Sequence, residues 1–235
     1  MQNIVIVLTG TIVVNATDSQ HNDSTKRRRE YLKCIHFYTK FSKVYFLENS
    51  SYDLDSDDDF RNIPNLTIRK FSPSLFPEKG KGYQEFEMID RWIESEPDVI
   101  ENFVKITGRY LYQNFHKLWE ECRDNQNRKM IIQQYLFVEA GVALFFVNVD
   151  FYKNTFIELY KESDIKKDIS IDYCIYKKLK SVPKKEFRRF FNDTRCIGIE
   201  GGSGNQMKSR INDSINYVIR KINYVFDKHY IWISF

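Results

Sequence analysis

The chain has 235 residues, enough for one large domain with its own core. Apolar residues make up 42% and aromatic residues 16%, which excludes a globally disordered chain. The 36 basic and 32 acidic residues leave a formal charge of only +4, too small an excess to point to a nucleic-acid partner.

The first run, residues 3–8 (NIVIVL), is continuously apolar and rich in Ile and Val. That pattern predicts a strand buried on both faces, as in a parallel sheet. The run has no basic residues before it and is too short to cross a bilayer, so it is read as a strand rather than a leader or anchor. Thr9-Gly10 ends it, and a polar loop follows. Residues 26–41 read as a helix with Tyr31, Cys34, Ile35 and Tyr38 on one face. Residues 43–47 (KVYFL) read as a second buried strand, ending at Glu48. Strand, helix, strand within fifty residues predicts a βαβ unit.

The acidic run Asp53 to Asp59 reads as a solvated loop without the glycine-centred spacing of a calcium site. Residues 66–71 predict a third strand. Lys79-Gly80-Lys81-Gly82 predicts a turn, residues 85–96 an amphipathic helix, and residues 102–107 a strand. A helix is expected over 111–124, strands over 130–137 and 143–149 separated near Gly141, and helices over 151–162 and 171–181. Residues 185–191 form a basic-aromatic segment. Residues 200–204 read as a glycine-rich loop and 210–226 as a long helix. The expected division is a domain over 1–205 and a helical extension over 206–235.

Cys34, Cys122, Cys174 and Cys196 form no C-x-x-C pair, so a cysteine zinc site is excluded and reduced thiols in a cytosolic protein are expected. The four histidines show no ligand spacing.

Ligands of open α/β sheets sit beyond the carboxyl ends of the strands. Thr9, Gly10, Glu48, Lys105 and Arg109 all fall at such ends. Glycine admits close backbone approach, and Lys and Arg neutralise phosphate oxygens. Lys79, Gly80, Lys81 and Gly82, with Lys105, Gly108 and Arg109, therefore flank one helix as a candidate diphosphate site. The bland alternative for the first group is a surface turn. A lysine in an apolar strand is unfavourable unless a partner meets it. Arg27, Arg28 and Arg29 open the first helix against its dipole, which an anion or simple solvation would explain. Glu85 follows in the first helical turn. Asp172 is placed either as an ordinary helix-start acid or as a general base. Asp150 is another carboxylate at an element boundary.

Taken in order, LTGTI, LENSSYDL, GKGYQEFEMI, FVKITGRYLY, VDFYKNTFIELY, IDYCIYKKL and IEGGSGN resemble bacterial glycosyltransferases of the GT-A type that assemble capsule, lipooligosaccharide and O-antigen. The resemblance covers residues 3–205. It departs at Gln84, where glycine is common in the family, and at Asp172, where the family has Glu.

The resemblance implies a GT-A-like, Rossmann-like α/β fold with a mostly parallel central sheet flanked by helices and a helical C-terminal tail. It implies transfer of a sugar from a nucleotide-diphosphate donor, expected to be UDP-linked, to a hydroxyl of a surface glycan. Thr9, Gly10, Arg29, Glu48, Lys79, Gly80, Lys81, Gly82, Glu85, Lys105, Gly108 and Arg109 would bind the donor. Asp150 and Tyr173 would bind the acceptor. Asp172 would act as base if the reaction inverts and position the acceptor if it retains.

The family usually holds Mn or Mg on an Asp-x-Asp pair. Here Lys105-Ile106-Thr107-Gly108-Arg109 stands at that strand end, and Asp55-Ser56-Asp57 lies too early. Lys and Arg would replace the metal's charge, or a metal would be held elsewhere, for instance by Asp150. A lipid-linked or oligosaccharide acceptor implies a cytoplasmic protein at the inner membrane face. Lys208, Arg210, Arg220, Lys221 and Lys228 among Tyr217, Tyr224, Tyr230 and Trp232 fit such a surface or a packed helix. The alternatives are a nucleotide-binding protein without transfer, and a nucleic-acid binder.

Overall fold

The computed structural model describes residues 4–14, 21–96, 100–136, 139–192, 194–199 and 206–207. In chain order the strands are β1 (Ile4–Gly10), β2 (Val44–Glu48), β3 (Leu66–Lys70), β4 (Asn102–Thr107), β5 (Leu111–Tyr112), β6 (Met130–Leu136), β7 (Glu139–Asn148), β8 (Phe187–Arg189), β9 (Cys196–Ile199) and β10 (Gln206–Met207). The helices are α1 (Ser24–Tyr38), α2 (Asp58–Arg61), α3 (Lys81–Ser95), α4 (Phe115–Asp124), α5 (Val149–Thr155) and α6 (Ile171–Leu179).

Seven strands form the central sheet in the order β3-β2-β1-β4-β7-β6-β8. Within it β7 runs against the others, pairing antiparallel with both β4 and β6. The α/β class and mostly parallel sheet flanked by helices are those expected. Pleating sends alternate side chains to opposite faces. Val5, Val7 and Phe103 pack with Phe86, Ile89 and Trp92 of α3 and with Cys174 and Ile175 of α6. Ile4, Ile6, Leu8, Val104 and Ile106 pack with Tyr31, Ile35 and Tyr38 of α1 and Leu118 of α4. The two-sided burial explains why β1 and β2 read as unbroken apolar runs.

Five expectations change. The helix expected over 111–124 begins at Phe115, because Leu111 and Tyr112 pair antiparallel with β9 as β5. The third helix begins four residues early, at Lys81, because Gly80 adopts φ 99° and lets the chain turn straight from the Pro77–Lys79 3₁₀ turn into α3. Gly141 does not separate two strands; it lies inside β7 opposite Gln134, beside a register shift in β6. The helix expected over 151–162 stops at Thr155, and a 3₁₀ turn, Leu159–Glu162, follows a left-handed Glu158. Asp57 is not a loop acid: it caps α2 and, with Asp59, holds Arg28. Gln206 and Met207 pair with β9. The glycine-rich loop, the expected 210–226 helix and its basic-aromatic residues lie outside the described residues. Among the described residues no helix is long and apolar enough to cross a membrane. Cys34, Cys122, Cys174 and Cys196 are free thiols, and burial pushes Cys34 and Cys196 up to about 12.

The Glu158 turn is fixed by Asp90 of α3, which accepts from the Glu158 N–H at 2.7 Å and the Tyr152 hydroxyl at 2.8 Å. Burial pushes the Asp90 carboxyl up to about 7 from 3.8. Between these values the folded protein keeps a proton that the unfolded chain has lost, so stability falls as pH rises through this window and then levels. Urea unfolding at pH 5 and pH 8 is expected to show wild type losing stability relative to Asp90→Asn as pH rises. A parallel pH dependence in the two proteins would contradict this.

Candidate functional site

β1 and β4 lie side by side in parallel register, with Thr9 opposite Thr107. Where they end, the Gly108 N–H donates to the Thr9 carbonyl at 2.9 Å. An open cleft of about 570 Å³, counting its mouth, lies beyond this edge between α1 and α3. Thr9, Gly10, Thr11, Arg27, Tyr31, Lys81, Gln84, Glu85, Thr107 and Arg109 contribute to its wall. The strand-end placement expected for Thr9, Gly10 and Arg109 is therefore met, and Lys81 and Glu85 join them from α3.

Glu85 organises the floor. Its Oε1 accepts from the Thr9 hydroxyl, from the Thr107 hydroxyl at 3.1 Å and from the Lys105 ammonium at 2.8 Å. Lys105 is 0% exposed and also donates to the Val142 carbonyl at 2.8 Å and to the Thr107 hydroxyl at 3.1 Å. Its ammonium lies near the faces of Phe86 and Phe145. The partner that a buried lysine requires is thus a carboxylate of the same chain, and Lys105 does not form part of the cleft wall. Its assignment to a diphosphate is corrected on this ground.

Glu48 is also redirected. It is fully buried and accepts from the Ile12 N–H at 3.0 Å, the Ser50 N–H at 3.0 Å, the Ser50 hydroxyl and Lys70. It shapes the turn leaving β1 and does not face the cleft. Of the three arginines opening α1, Arg29 is exposed and Arg27 faces the cleft. Arg27 donates to the Thr11 carbonyl at 2.5 and 2.8 Å, the His21 carbonyl at 3.0 Å and the Tyr31 hydroxyl at 3.1 Å. One guanidinium thereby ties Thr11 to His21. Burial pulls its pKa down from the ordinary arginine value. Arg109 is buried and donates to Glu30 at 3.2 Å; Glu30 also holds His21 at 3.1 Å.

Lys79 lies in the 3₁₀ turn with its ammonium over the rings of Phe76 and Tyr83, leaving Lys81 as the lysine on the cleft wall. Gly80 caps α3 without a side-chain hydrogen bond. Gly82 has a packing role: a Cβ there would lie 2.6 Å from Ile171 Cγ2. Its bare backbone lets the start of α6 abut the start of α3. Asp172 follows Ile171, and its Oδ1 accepts from the Val142 N–H at 3.3 Å. The Val142 backbone, through its N–H and its carbonyl, so joins Asp172 to Lys105. Tyr173 is exposed on α6. Asp150 is exposed at the start of α5, and β7 runs antiparallel, so it lies at the opposite edge of the sheet, beside the start of β4. That placement removes it from the acceptor side.

Sequence reasoning missed Thr11, Tyr31, Gln84 and Thr107 as wall residues and, of the three arginines opening α1, chose Arg29 rather than Arg27. Arg27 and Tyr31 stand four apart on α1, a spacing that could have linked them.

Among the described residues the donor set does not fit a divalent cation. Where the strand-end acid pair would stand, β4 ends in Thr107-Gly108-Arg109, and the carboxylate on the cleft wall, Glu85, is already paired with an ammonium. Among the described residues no group of three or more His, Cys, Asp or Glu side chains could hold a metal ion.

No protein-family model matches the chain, and no curated protein matches its sequence. Among solved structures it is similar to a protein from Desulfovibrio desulfuricans assigned as a nucleotide-diphospho-sugar transferase, at 10% identity and TM-score 0.49, over 99% of this chain and 100% of that one. It is also similar to a protein from Bacillus anthracis assigned as a glucose-1-phosphate thymidylyltransferase (8% identity, TM-score 0.49, 94% and 96% covered). A third is mouse xyloside xylosyltransferase 1 (10% identity, TM-score 0.44, 80% and 84% covered).

Lys105→Met removes the ammonium while Glu85 stays behind with its charge. Loss of one partner of a buried pair typically costs ~3–5 kcal/mol. Urea unfolding is expected to show a loss of that order; an unchanged midpoint would mean that the pair does not hold the site.

Proposed function

We propose that the cleft holds a nucleoside-diphosphate sugar and that the protein transfers the sugar to a hydroxyl acceptor. The observation that carries this reading is the cationic lining of Arg27, Lys81 and Arg109 at the carboxyl ends of β1 and β4, beside the start of α3. Oriented cations and helix N–H groups there would neutralise a diphosphate. Thr9, Gly10 and Gly108 would bring backbone close to the nucleoside. Gly80 and Gly82 would shape the turn beneath the phosphates.

In the reaction the acceptor oxygen attacks the anomeric carbon. The bond from that carbon to the β-phosphate oxygen breaks, and the nucleoside diphosphate leaves with the bonding electrons. Charge grows on the diphosphate, where Lys81 and Arg109 would stabilise it. The acceptor proton needs a base. We assign Asp172 this role in an inverting reaction, with Tyr173 beside the acceptor, because the start of α6 abuts the start of α3. The acceptor in this reading is a lipid-linked or oligosaccharide surface glycan, as the sequence resemblance implies, met at the inner membrane face. The engagement of Asp172 by Val142 favours, as a second reading, nucleotide binding without transfer.

Thermal unfolding with UDP, with and without EDTA, tests the proposal. Saturating UDP is expected to raise the midpoint equally in both; ligand at a hundred times its Kd stabilises by ~2.7 kcal/mol. Lys81→Ala is expected to weaken UDP by about tenfold, the loss of one hydrogen bond to a charged group. No shift with any nucleoside diphosphate would sink the proposal, and a shift seen only with Mn²⁺ or Mg²⁺ would overturn the metal-free site. Release of free UDP from UDP-sugar in the presence of a glycan acceptor separates transfer from binding alone.

A further inference from the structure

The Glu85 carboxylate has two oxygens with different surroundings. Oε1 takes all three donors described above, from Thr9, Thr107 and Lys105. Among the described residues no hydrogen bond or ion pair reaches Oε2. The side chain is 19% exposed and forms part of the cleft wall. A carboxylate whose inner oxygen is fixed by three donors cannot turn away, so its outer oxygen is a positioned acceptor on the cleft floor.

We infer that Glu85 Oε2 reads a sugar hydroxyl of the ligand. The reasoning rests on the nucleotide-sugar reading and adds the orientation of the ligand within the cleft. A carboxylate repels phosphate oxygens, so the diphosphate is excluded from this wall and left to Lys81 and Arg109. Among the groups of a nucleotide sugar, a hydroxyl is a donor that an ionised carboxylate binds well, in a short charge-assisted hydrogen bond. Lys105 balances the charge of Glu85 from inside the sheet, so a neutral donor completes the site without leaving a net charge behind. The hydroxyl belongs either to the ribose or to the transferred sugar; both present the same chemistry. Lys105 is accordingly a positioning residue, acting on the ligand through Glu85.

Titration calorimetry of wild type and Glu85→Gln tests this. UDP would be compared with its 2′-deoxy and 3′-deoxy forms, and UDP-glucose with its deoxyhexose counterparts. One missing hydroxyl is expected to weaken wild-type binding by about ten- to a hundredfold, the range of a hydrogen bond to a charged group. A ribose position identifies the nucleoside side and a hexose position the transferred sugar. In Glu85→Gln, which turns an N–H₂ toward the cleft while Oε1 keeps its donors, the same comparison is expected to fall within about threefold. If wild type binds UDP and UDP-glucose but every deoxy form within about threefold of its parent, the inference fails while the nucleotide-sugar reading stands. A deoxy penalty that persists in Glu85→Gln also overturns it. If no nucleotide binds wild type, the underlying reading itself fails. If Glu85→Gln does not fold, the wild-type arm can still overturn the inference, and Glu85→Ala serves for the second comparison.

Discussion

An ammonium group closed off from solvent in the middle of a sheet must find its counter-charge inside the protein, and here that requirement fixes the site. Lys105 points from β4 into the face covered by α3 and meets Glu85 of that helix, the Thr107 hydroxyl and the Val142 carbonyl of β7. Glu85 then takes the Thr9 hydroxyl of β1. Four elements converge on one ion pair. An unpaired buried charge is so unfavourable that the pair tolerates little slack in where α3 begins. The start of α3, and with it Lys81, is held over the ends of β1 and β4 as a consequence.

The remaining walls follow from smaller constraints of the same kind. Arg27 joins Thr11 to His21 by their carbonyls, while Glu48 and Ser50 take the Ile12 and Val13 N–H groups. The chain leaving β1 is thus fixed by side chains from α1 and from the segment ending β2. On the other side Gly82 lets Ile171 approach, and α6 delivers Asp172 to the neighbourhood of the pair. Thr9, Thr107, Lys105 and Glu85 Oε1 answer to one another. The outer oxygen of Glu85 has no partner among the described residues. Among the described residues the cleft is thus cationic on one wall, with the Glu85 carboxylate on its floor, the arrangement on which the nucleotide-sugar proposal rests.

Much of the scaffold was legible because burial on both faces leaves an unmistakable record: NIVIVL, KVYFL and NFVKIT have no polar alternation to misread. The unfavourable position of Lys105 was legible too, but not its remedy. Glu85 lies twenty residues upstream, and nothing in the linear order states that α3 crosses that face of the sheet at that height. A phosphate was the natural guess. Asp150 was misplaced because ALFFVNV reads the same for a strand running either way, and the antiparallel course of β7 carries its end to the far edge. Arg29 was chosen over Arg27 for a related reason: two residues on a helix are about 200° apart, and basic neighbours give no clue to phase. The early start of α3 was hidden by glycines that read as loop until Gly80 is seen at φ 99°.

The most direct test of the whole account is a structure determined with a nucleoside diphosphate sugar bound. The account predicts the diphosphate against Lys81, Arg109 and the start of α3, with a ring hydroxyl within hydrogen-bond distance of Glu85 Oε2 and Lys105 still paired beneath it. A nucleotide seated elsewhere on the sheet, or its phosphates lying on the Glu85 wall, would contradict it.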